Sequence, residues 1–190
     1  MMDEAGAPIG NYAALAGFWD CYFGDRTTEI SCWAELARRY GTRILSPMAA
    51  TGAVGFALFQ RGFDVVAVDL CREMVREGRK LHPQSAHFSL LQGDVTTLDL
   101  KGDPFDLAFL GNGDFHHFAD PASQEAVLAS IGRHLRPGGG LALEIYAASD
   151  RSCPQGQVLF RARPRMLFWN GITWGATRRR LTPDVKSFRP

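Results

Sequence analysis

Long apolar runs, internal repeats and low-complexity segments are all missing from this sequence of 190 residues. Without a run of about 20 apolar residues there is no candidate for a membrane-spanning helix. The start, Met1-Met2-Asp3-Glu4, lacks the basic and apolar regions of a signal peptide. A charge excess is missing too, since 21 Lys and Arg oppose 20 Asp and Glu. We therefore expect a cytoplasmic protein with neither a membrane nor a nucleic acid as partner.

Cysteine is scarce, and the spacing of Cys21, Cys32, Cys71 and Cys153 gives neither a metal-ligand pair nor a disulfide framework. We expect reduced, buried thiols and no metal site. The composition is otherwise ordinary for a globular protein, with 46% hydrophobic and 22% charged residues. The length predicts one domain with a substantial core.

From residue 43 onward, short apolar segments alternate with segments of helical spacing. The predicted elements are strand 43–46, helix 53–61, strand 64–69, helix 71–80, strand 87–91, strand 105–110, helix 121–135 and strand 140–146. Such alternation is typical of a parallel sheet covered by helices. We therefore expect an α/β fold with a Rossmann-like, doubly wound and mostly parallel sheet. Pro137 to Gly140 should end the long helix and turn the chain into the last strand.

Two further segments should flank this sheet within the single domain 1–190. Aromatic and apolar residues at helical spacing predict one cap helix at 11–20 and a second that ends near Tyr40. Asn170-Gly171 predicts a hairpin, because this pair is preferred in tight turns. The expected segments are N-terminal cap helices at 1–41, a Rossmann-like core at 42–147 and a C-terminal β-hairpin at 148–190.

The ends of the early strands suggest a nucleoside ligand. Ile44–Gly55 has the pattern of a strand, a tight loop and a helix, and its small residues let the backbone approach a ligand. Asp69 ends the second strand, where its carboxylate can accept hydrogen bonds from both ribose hydroxyls, or can cap the helix at 71–80. Asp94 follows the third strand, where it can accept from an adenine amino group or form an Asx-turn.

The segment Phe105–Asp114 is a buried strand that opens into a glycine-flanked polar loop. Loops at this edge of a sheet hold reacting groups. His116 and His117 follow, and because an imidazole titrates near neutrality either is a candidate general base. Packing at a helix start is the alternative for both. Asp114 is a further candidate for catalysis.

These motifs occur in the order found in a known family. Asp69, Gly93-Asp94, the strand leading to Asn112, and Leu135-Arg136-Pro137-Gly138-Gly139 resemble class I S-adenosylmethionine-dependent methyltransferases over residues 10–150. Further motifs resemble the glycine N-methyltransferase branch and its small-molecule N-methyltransferase relatives. They are Tyr22-Phe23-Gly24-Asp25-Arg26-Thr27-Thr28-Glu29, Phe105-Asp106-Leu107 with Leu110-Gly111-Asn112-Gly113, and Arg136-Pro137-Gly138-Gly139.

The resemblance implies S-adenosylmethionine as cofactor and in-line methyl transfer to a small-molecule amine or hydroxyl. It implies that Arg26 pairs with the methionyl carboxylate and that Tyr12 lies over the methyl-transfer centre; an exposed ion pair of Arg26 with Asp25 or Glu29 is the alternative. The expected catalytic residues are Tyr12 and His116. The expected cofactor-binding residues are Tyr12, Trp19, Arg26, Met48, Ala49, Gly52, Asp69, Leu70, Asp94, Val95, Leu110 and Asn112.

The first loop departs from the family pattern. The family is acidic and glycine-rich at the positions of Ser46, Met48 and Ala50, and of its glycines Gly52 remains. Side chains there are expected to crowd the cofactor or displace the loop. The glycine-using enzymes place an arginine where this chain has Tyr146, so glycine is not the expected substrate.

Two other functions stay open. The altered loop suits a protein that binds the cofactor without methyl transfer, as a regulatory subunit or through other sulfonium chemistry. The segment Ala50–Gly55 fits the dinucleotide fingerprint with its first glycine replaced, which favours a nicotinamide-dependent oxidoreductase.

The predicted sheet also lacks its usual ending, since about 44 residues follow Tyr146 where this class adds two strands. The terminal hairpin replaces them, the chain is shortened, or a second copy completes the sheet. An exposed edge strand favours a homo-oligomer.

Overall fold

The computed structural model describes residues 12–145 and the backbone of 156–161. The helices are α1 (Tyr12–Leu15), α2 (Trp19–Phe23), α3 (Thr27–Ala37), α4 (Ala53–Phe59), α5 (Arg72–Leu81) and α6 (Pro121–His134). The strands are β1 (Arg43–Pro47), β2 (Asp64–Asp69), β3 (Phe88–Gln92), β4 (Phe105–Leu110), β5 (Leu135–Ile145) and β6 (Gly156–Arg161). Short 3₁₀ helices lie at Ala16–Phe18, Val95–Thr97 and Asp114–His117. Among these described helices, none has the length and apolarity needed to cross a membrane.

The strands form one six-stranded sheet in the order β3-β2-β1-β4-β5-β6. The first five strands are parallel, and β6 pairs antiparallel with β5. The predicted Rossmann-like α/β fold is confirmed. The strand order reverses between β1 and β4, and in open sheets of this kind ligands bind at the carboxyl ends of the strands near such a reversal.

Apolar side chains cover both faces of the sheet. One face packs with Trp33 and Leu58, and the other packs with Ile131. Ile44 and Leu45 of β1 are both fully buried and belong to opposite clusters, because successive side chains of a strand alternate between the two faces. Burial on both faces explains why the central strands are nearly continuous apolar runs.

The N-terminal helices differ from the prediction. The expected helix 11–20 is divided into α1, a 3₁₀ turn and α2, with Gly17 in the break. Glycine costs about 1 kcal/mol relative to alanine inside a helix, so the break falls at a weak point. The second helix, α3, ends at Ala37, short of Tyr40.

The predicted turn at Pro137–Gly140 is wrong. Helix α6 ends at His134, and β5 already begins at Leu135. Phe105 pairs with Leu135 but Leu107 pairs with Gly140, so the intervening residues of β5 bulge out of the ladder. A Cβ at Gly139 would lie 3.0 Å from the carbonyl oxygen of Arg136 and 3.1 Å from that of Asp106. Glycine here permits close backbone approach within a strand.

Strand β6 was not predicted from the sequence. It pairs Gly156–Arg161 with Gly140–Ile145 and covers the edge of β5, for which the sequence left a terminal hairpin, a shortened chain and a second copy as alternatives. The hairpin predicted around Asn170-Gly171, and Tyr146, lie outside the described residues. The expectation of buried thiols is wrong for Cys21, which is exposed; Cys32 and Cys71 are half-buried.

Candidate active site at the carboxyl edge of the sheet

The carboxyl ends of β1, β2 and β3 and the segment after β4 surround a cavity of about 950 Å³. Its size lies within the range of roughly 300–1,000 Å³ that is typical of small-molecule sites. The N-terminal helices contribute Tyr12, Trp19 and Phe23 to its wall. The cavity therefore lies where the topology of the sheet predicts a ligand.

Helix α2 is fastened over this edge by Asp20. Its carboxylate accepts a hydrogen bond from Thr51 Oγ1 at 2.5 Å and lies 3.3 Å from His82 Nε2. Burial alone would raise its pKa, but the hydrogen bonds from His82 and Thr51 hold the pKa of Asp20 below its usual value. Sequence reasoning missed this link, because its partners lie 31 and 62 residues away.

The first loop keeps a conformation suited to glycine. Met48 and Ala50 have positive φ angles of 54° and 51°, and Gly52 follows at 79°. A left-handed conformation costs a residue with a Cβ about 1–2 kcal/mol. The loop is held by hydrogen bonds from Ala49 N to the Val68 carbonyl and from Ala50 N to the Asp69 carboxylate. The substitutions therefore leave a defined loop, with Met48 and Ala50 lining the cavity.

Asp69 is fixed at the centre of the site. Its Oδ2 accepts from Ala50 N at 2.6 Å, and its Oδ1 accepts from Cys71 N at 2.8 Å. Burial raises the pKa of Asp69 despite these two backbone hydrogen bonds. The alternative role as a helix cap is wrong, since Cys71 holds the N-cap position of α5. Each carboxylate oxygen keeps a further lone pair for a ligand.

Asp94 also lines the cavity, and its Oδ1 accepts from Thr96 N at 2.8 Å and Thr96 Oγ1 at 2.7 Å. The Asx-turn considered from the sequence is therefore present, where it caps the 3₁₀ helix Val95–Thr97. Both hydrogen bonds use the same oxygen, Oδ1, so the turn and a ligand contact through Oδ2 are compatible.

Arg26 lines the cavity while paired with Glu29. Its Nε donates to Glu29 Oε2 at 2.8 Å and its NH2 donates to Glu29 Oε1 at 3.0 Å. Glu29 is itself held by the indole N–H of Trp33 at 3.3 Å. The ion pair expected as the alternative exists, but with side chains 15% and 19% exposed it belongs to the cavity wall and not to an open surface.

Tyr12 meets the 3₁₀ helix after β4 across the cavity. Its hydroxyl lies 3.3 Å from His117 Nε2, and the two rings meet edge to face. Burial, followed by the charges of Asp114 and Asp69, raises the pKa of Tyr12. Burial lowers the pKa of His117, which favours a neutral imidazole beside the tyrosine.

The structure brings most of the predicted residues together, but not all. Lining the cavity are Tyr12, Trp19, Arg26, Met48, Ala49, Asp69, Leu70, Asp94, Val95 and Asn112. Leu110 is fully buried in the sheet and Gly52 is buried behind the loop, whereas His116 is exposed. Adjacent residues of a 3₁₀ helix point about 120° apart. His117 therefore faces the cavity where His116 was expected.

Glu144 supports this site from behind, and sequence reasoning missed it. It is 7% exposed, and its Oε2 accepts a hydrogen bond from Asn112 N at 2.9 Å. Burial raises the pKa of Glu144. The signal that could have identified it is a carboxylate inside the apolar strand Leu141-Ala142-Leu143-Glu144-Ile145.

Residues 44–139 match a family described as a methyltransferase domain. This stretch is half of the chain. The chain belongs to this methyltransferase family. The chain is also 29% identical over 167 residues to glycine N-methyltransferase of Mus musculus, which covers 76% of this chain and 57% of the relative. A demethylmenaquinone methyltransferase of Beutenbergia cavernae is 32% identical over 123 residues, covering 65% of this chain and 48% of that protein. The chain thus spans about half the length of these relatives.

Solved methyltransferases share the fold of this family member. The sugar N-methyltransferase KedS8 of Streptoalloteichus superposes with a TM-score of 0.64 at 20% identity, covering 91% of this chain and 71% of that one. An amino pentose methyltransferase of Micromonospora echinaspora, solved with bound S-adenosylmethionine (SAM), gives a TM-score of 0.60 at 23% identity, covering 86% of this chain and 77% of that one. At these identities the likeness concerns the fold.

Proposed function

We propose that this methyltransferase domain uses SAM to methylate an amine or hydroxyl of a small molecule. One observation carries the proposal: Arg26, Asp69 and Asp94 are far apart in the sequence, yet they line one cavity at the carboxyl edge of the sheet. Membership in the methyltransferase family supports the same function.

The residues present fit the groups of this cofactor. Asp69 offers two carboxylate oxygens to the hydroxyls of a ribose, and Asp94 lies one strand further on, where an adenine amino group would reach it. Arg26 offers a planar guanidinium to the methionyl carboxylate, in exchange for or beside its pairing with Glu29.

When bound, SAM supplies a methyl group on a sulfur that already carries a positive charge. The protein therefore needs no strong acid or base; it has to orient a neutral nucleophile and exclude water. Tyr12, held at 3.3 Å from His117, is the residue we propose for the methyl-transfer centre. Trp19 packs edge to face against Tyr12 at a ring separation of 5.6 Å and closes the same wall.

The substrate class rests on the cavity and on the relatives. The cavity is lined by residues of one chain and has the volume of a small-molecule site. Solved neighbours include sugar and glycopeptide N-methyltransferases, which supports a small-molecule acceptor. A protein that binds SAM without transferring methyl is the second candidate, favoured by Met48 and Ala50 in the first loop.

Isothermal titration of the protein with SAM and with S-adenosylhomocysteine (SAH) tests the proposal. We expect both to bind, and we expect Asp69→Ala to weaken both at least about tenfold, because a carboxylate hydrogen-bonded to ligand is worth roughly 1.5–3 kcal/mol. Asp103→Ala, at an exposed position outside the cavity, is the control and should change nothing. Absence of binding at millimolar cofactor contradicts the proposal.

The products formed with a panel of small amines and alcohols separate the two candidates. SAH as by-product means methyl transfer, and methylthioadenosine means that another bond of the sulfonium was broken. Binding with neither by-product means a cofactor-binding protein. NAD serves as the negative control ligand in a thermal-shift comparison, since a nicotinamide enzyme would be stabilised by it and a methyltransferase would not.

A further inference from the structure

Asp114 lines the cavity but has no part in the function proposed above. It begins the 3₁₀ helix after β4, its backbone N–H donates to the carbonyl of Gly111 at 2.9 Å, and its side chain lines the cavity. Within residues 12–145, the structure shows no N–H or O–H group donating to its carboxylate. Asp114 is half-buried, so water can reach its carboxylate in the ligand-free cavity, and a ligand that fills the cavity has to replace that water.

The charged groups of the described residues around Asp114 do not compensate its charge. Asp69, Glu29 and Glu144 are further carboxylates near it, and the cation Arg26 is already engaged by both oxygens of Glu29. Burial and then the charge of Asp69 raise the pKa of Asp114 well above its usual value, with Arg26 acting in the opposite direction. The pocket thus holds an excess of negative groups, which a cationic ligand would neutralise.

The position of Asp114 indicates which cation this is. Asp114 lines the same cavity as Asp69 and Arg26, the residues proposed for the ribose and for the methionyl carboxylate. It also shares a 3₁₀ helix with His117, which lies 3.3 Å from the Tyr12 hydroxyl at the proposed methyl-transfer centre. In SAM the sulfur joins the ribose to the methionyl chain. A ligand held at both sites therefore places its sulfur between them, next to Asp114 and Tyr12.

We propose that the Asp114 carboxylate recognises the positive charge on the cofactor's sulfur, so that the cavity prefers the charged cofactor to its neutral product. This inference rests on the proposed function. In methyl transfer the S–CH₃ bond breaks, a bond from the methyl carbon to the acceptor forms, and the electron pair stays on sulfur. The product sulfur is neutral and loses the attraction of Asp114, which favours product release.

A protonated amine acceptor is the competing cation. It is disfavoured because an ammonium has no lone pair with which to attack the methyl group, and because Asp114 lines the cavity together with both cofactor anchors, Asp69 and Arg26. Binding of the acceptor to Asp114 is therefore an outcome that the test distinguishes.

The test compares three ligands by isothermal titration: SAM, sinefungin, in which a protonated amine replaces the sulfonium, and SAH. Wild-type protein should bind SAM and sinefungin more tightly than SAH. Asp114→Asn removes the charge at nearly constant shape and should weaken SAM and sinefungin about tenfold or more, as expected for one charge pair. It should leave SAH unchanged or slightly tighter.

Asp94→Asn is the matched control, because it neutralises a carboxylate of the same cavity at the proposed adenine end. It should change all three affinities by one common factor. If the Asp114 variant does not fold, as judged by circular dichroism, the wild-type comparison still decides: SAH binding as tightly as SAM and sinefungin overturns the inference.

An equal loss for all three ligands in Asp114→Asn overturns the inference and leaves the proposed function intact. So does an unchanged set of cofactor affinities together with a raised KM for an amine acceptor, which assigns Asp114 to the acceptor. If wild-type protein binds none of the three, the proposed function fails and the inference falls with it.

Discussion

The two ends of strand β4 carry aspartates in opposite situations. At its amino end, Asp106 accepts hydrogen bonds from Thr42 N and Arg43 N at 2.9 Å each, and from Arg136 Nε. Just beyond its carboxyl end, Asp114 faces a cavity, and no described group donates to its carboxylate. Burial opposes ionisation at both sites. The pKa of Asp106 is nevertheless lowered by Arg43 and Arg136, whereas that of Asp114 is raised.

This difference separates the edge of the sheet that holds the fold from the edge that is suited to a ligand. The Asp106 network joins the starts of β1, β4 and β5, and the guanidinium of Arg136 continues it to the carbonyl of Tyr40. Polar groups at the amino edge are thus satisfied within the protein. At the carboxyl edge, the carboxylate of Asp114 and three left-handed residues that are not glycine, Met48, Ala50 and Asn112, lower the stability of a site prepared for a partner.

The largest effect is expected at the amino edge. Asp106→Ala leaves the N–H groups of Thr42 and Arg43 and the guanidinium of Arg136 without their common acceptor, so urea denaturation should show a loss of about 2–3 kcal/mol. The exposed Asp103→Ala is the control and should cost less than about 0.5 kcal/mol. Equal effects of the two substitutions would contradict the view that the Asp106 network at the amino edge stabilises the fold.

At Asp114, by contrast, we expect substitution to raise the free energy of unfolding. Its folded-state pKa is raised, so the folded protein binds more protons than the unfolded chain above the unfolded pKa, and the residue lowers stability as pH rises. Asp114→Asn should therefore stabilise the ligand-free protein by about 1–2 kcal/mol at pH 7 to 8. The gain should shrink towards about pH 4, where the native carboxyl is protonated. Thermal melts across this range check the prediction, and a destabilised variant at neutral pH contradicts it.

Asp20 is an intermediate case between Asp106 and Asp114. It lies at the carboxyl edge of the sheet, but its carboxylate has hydrogen-bond partners within the protein. Asp20→Ala removes its bonds to Thr51 and His82, and we expect a loss of about 1 kcal/mol. Hydrogen exchange should rise first in α2. The neighbouring exposed residue gives the control, Cys21→Ala, which should leave exchange in α2 unchanged. Uniform exchange throughout the fold after Asp20→Ala would mean that this residue does not fasten the helix.

The smallest effect is expected in the first loop. Ala50→Gly relieves a left-handed alanine at φ 51°, and the net gain should be about 0.5 kcal/mol once the greater freedom of unfolded glycine is subtracted. Ala49→Gly, at a neighbour without a positive φ, should instead lose about 1 kcal/mol. Chemical denaturation of both variants decides the matter. A loss at both positions shows that the loop holds no backbone strain.

The central sheet was predicted well because its strands are short buried apolar runs with clear ends in the sequence. The bounds of β2 and β4 were predicted to the residue, since each is a buried apolar run that ends at a polar residue or glycine. Asp69 and Asp94 are expected at one cavity because parallel strands place their carboxyl ends at one edge. Arg26 precedes a helix, and only the resemblance to a known family assigns it to the same cavity.

The failures have physical reasons too. The sequence predicts a turn where β5 has a bulge, because glycine that permits close backbone approach and glycine that turns a chain look the same in a sequence. The sequence could not show which of His116 and His117 faces the cavity, because that depends on how the 3₁₀ helix is oriented about its axis. Glu144 acts through Asn112, 32 residues earlier, and such a contact has no local signature.

A crystal structure of the protein with saturating SAH tests the central claim most directly. The account predicts ribose hydroxyls within hydrogen-bonding distance of Asp69, the adenine beside Asp94 and the methionyl carboxylate on Arg26, with the sulfur next to Asp114. Density for the ligand at another surface, or a cavity that stays free of ligand while those side chains keep their present positions, would contradict it.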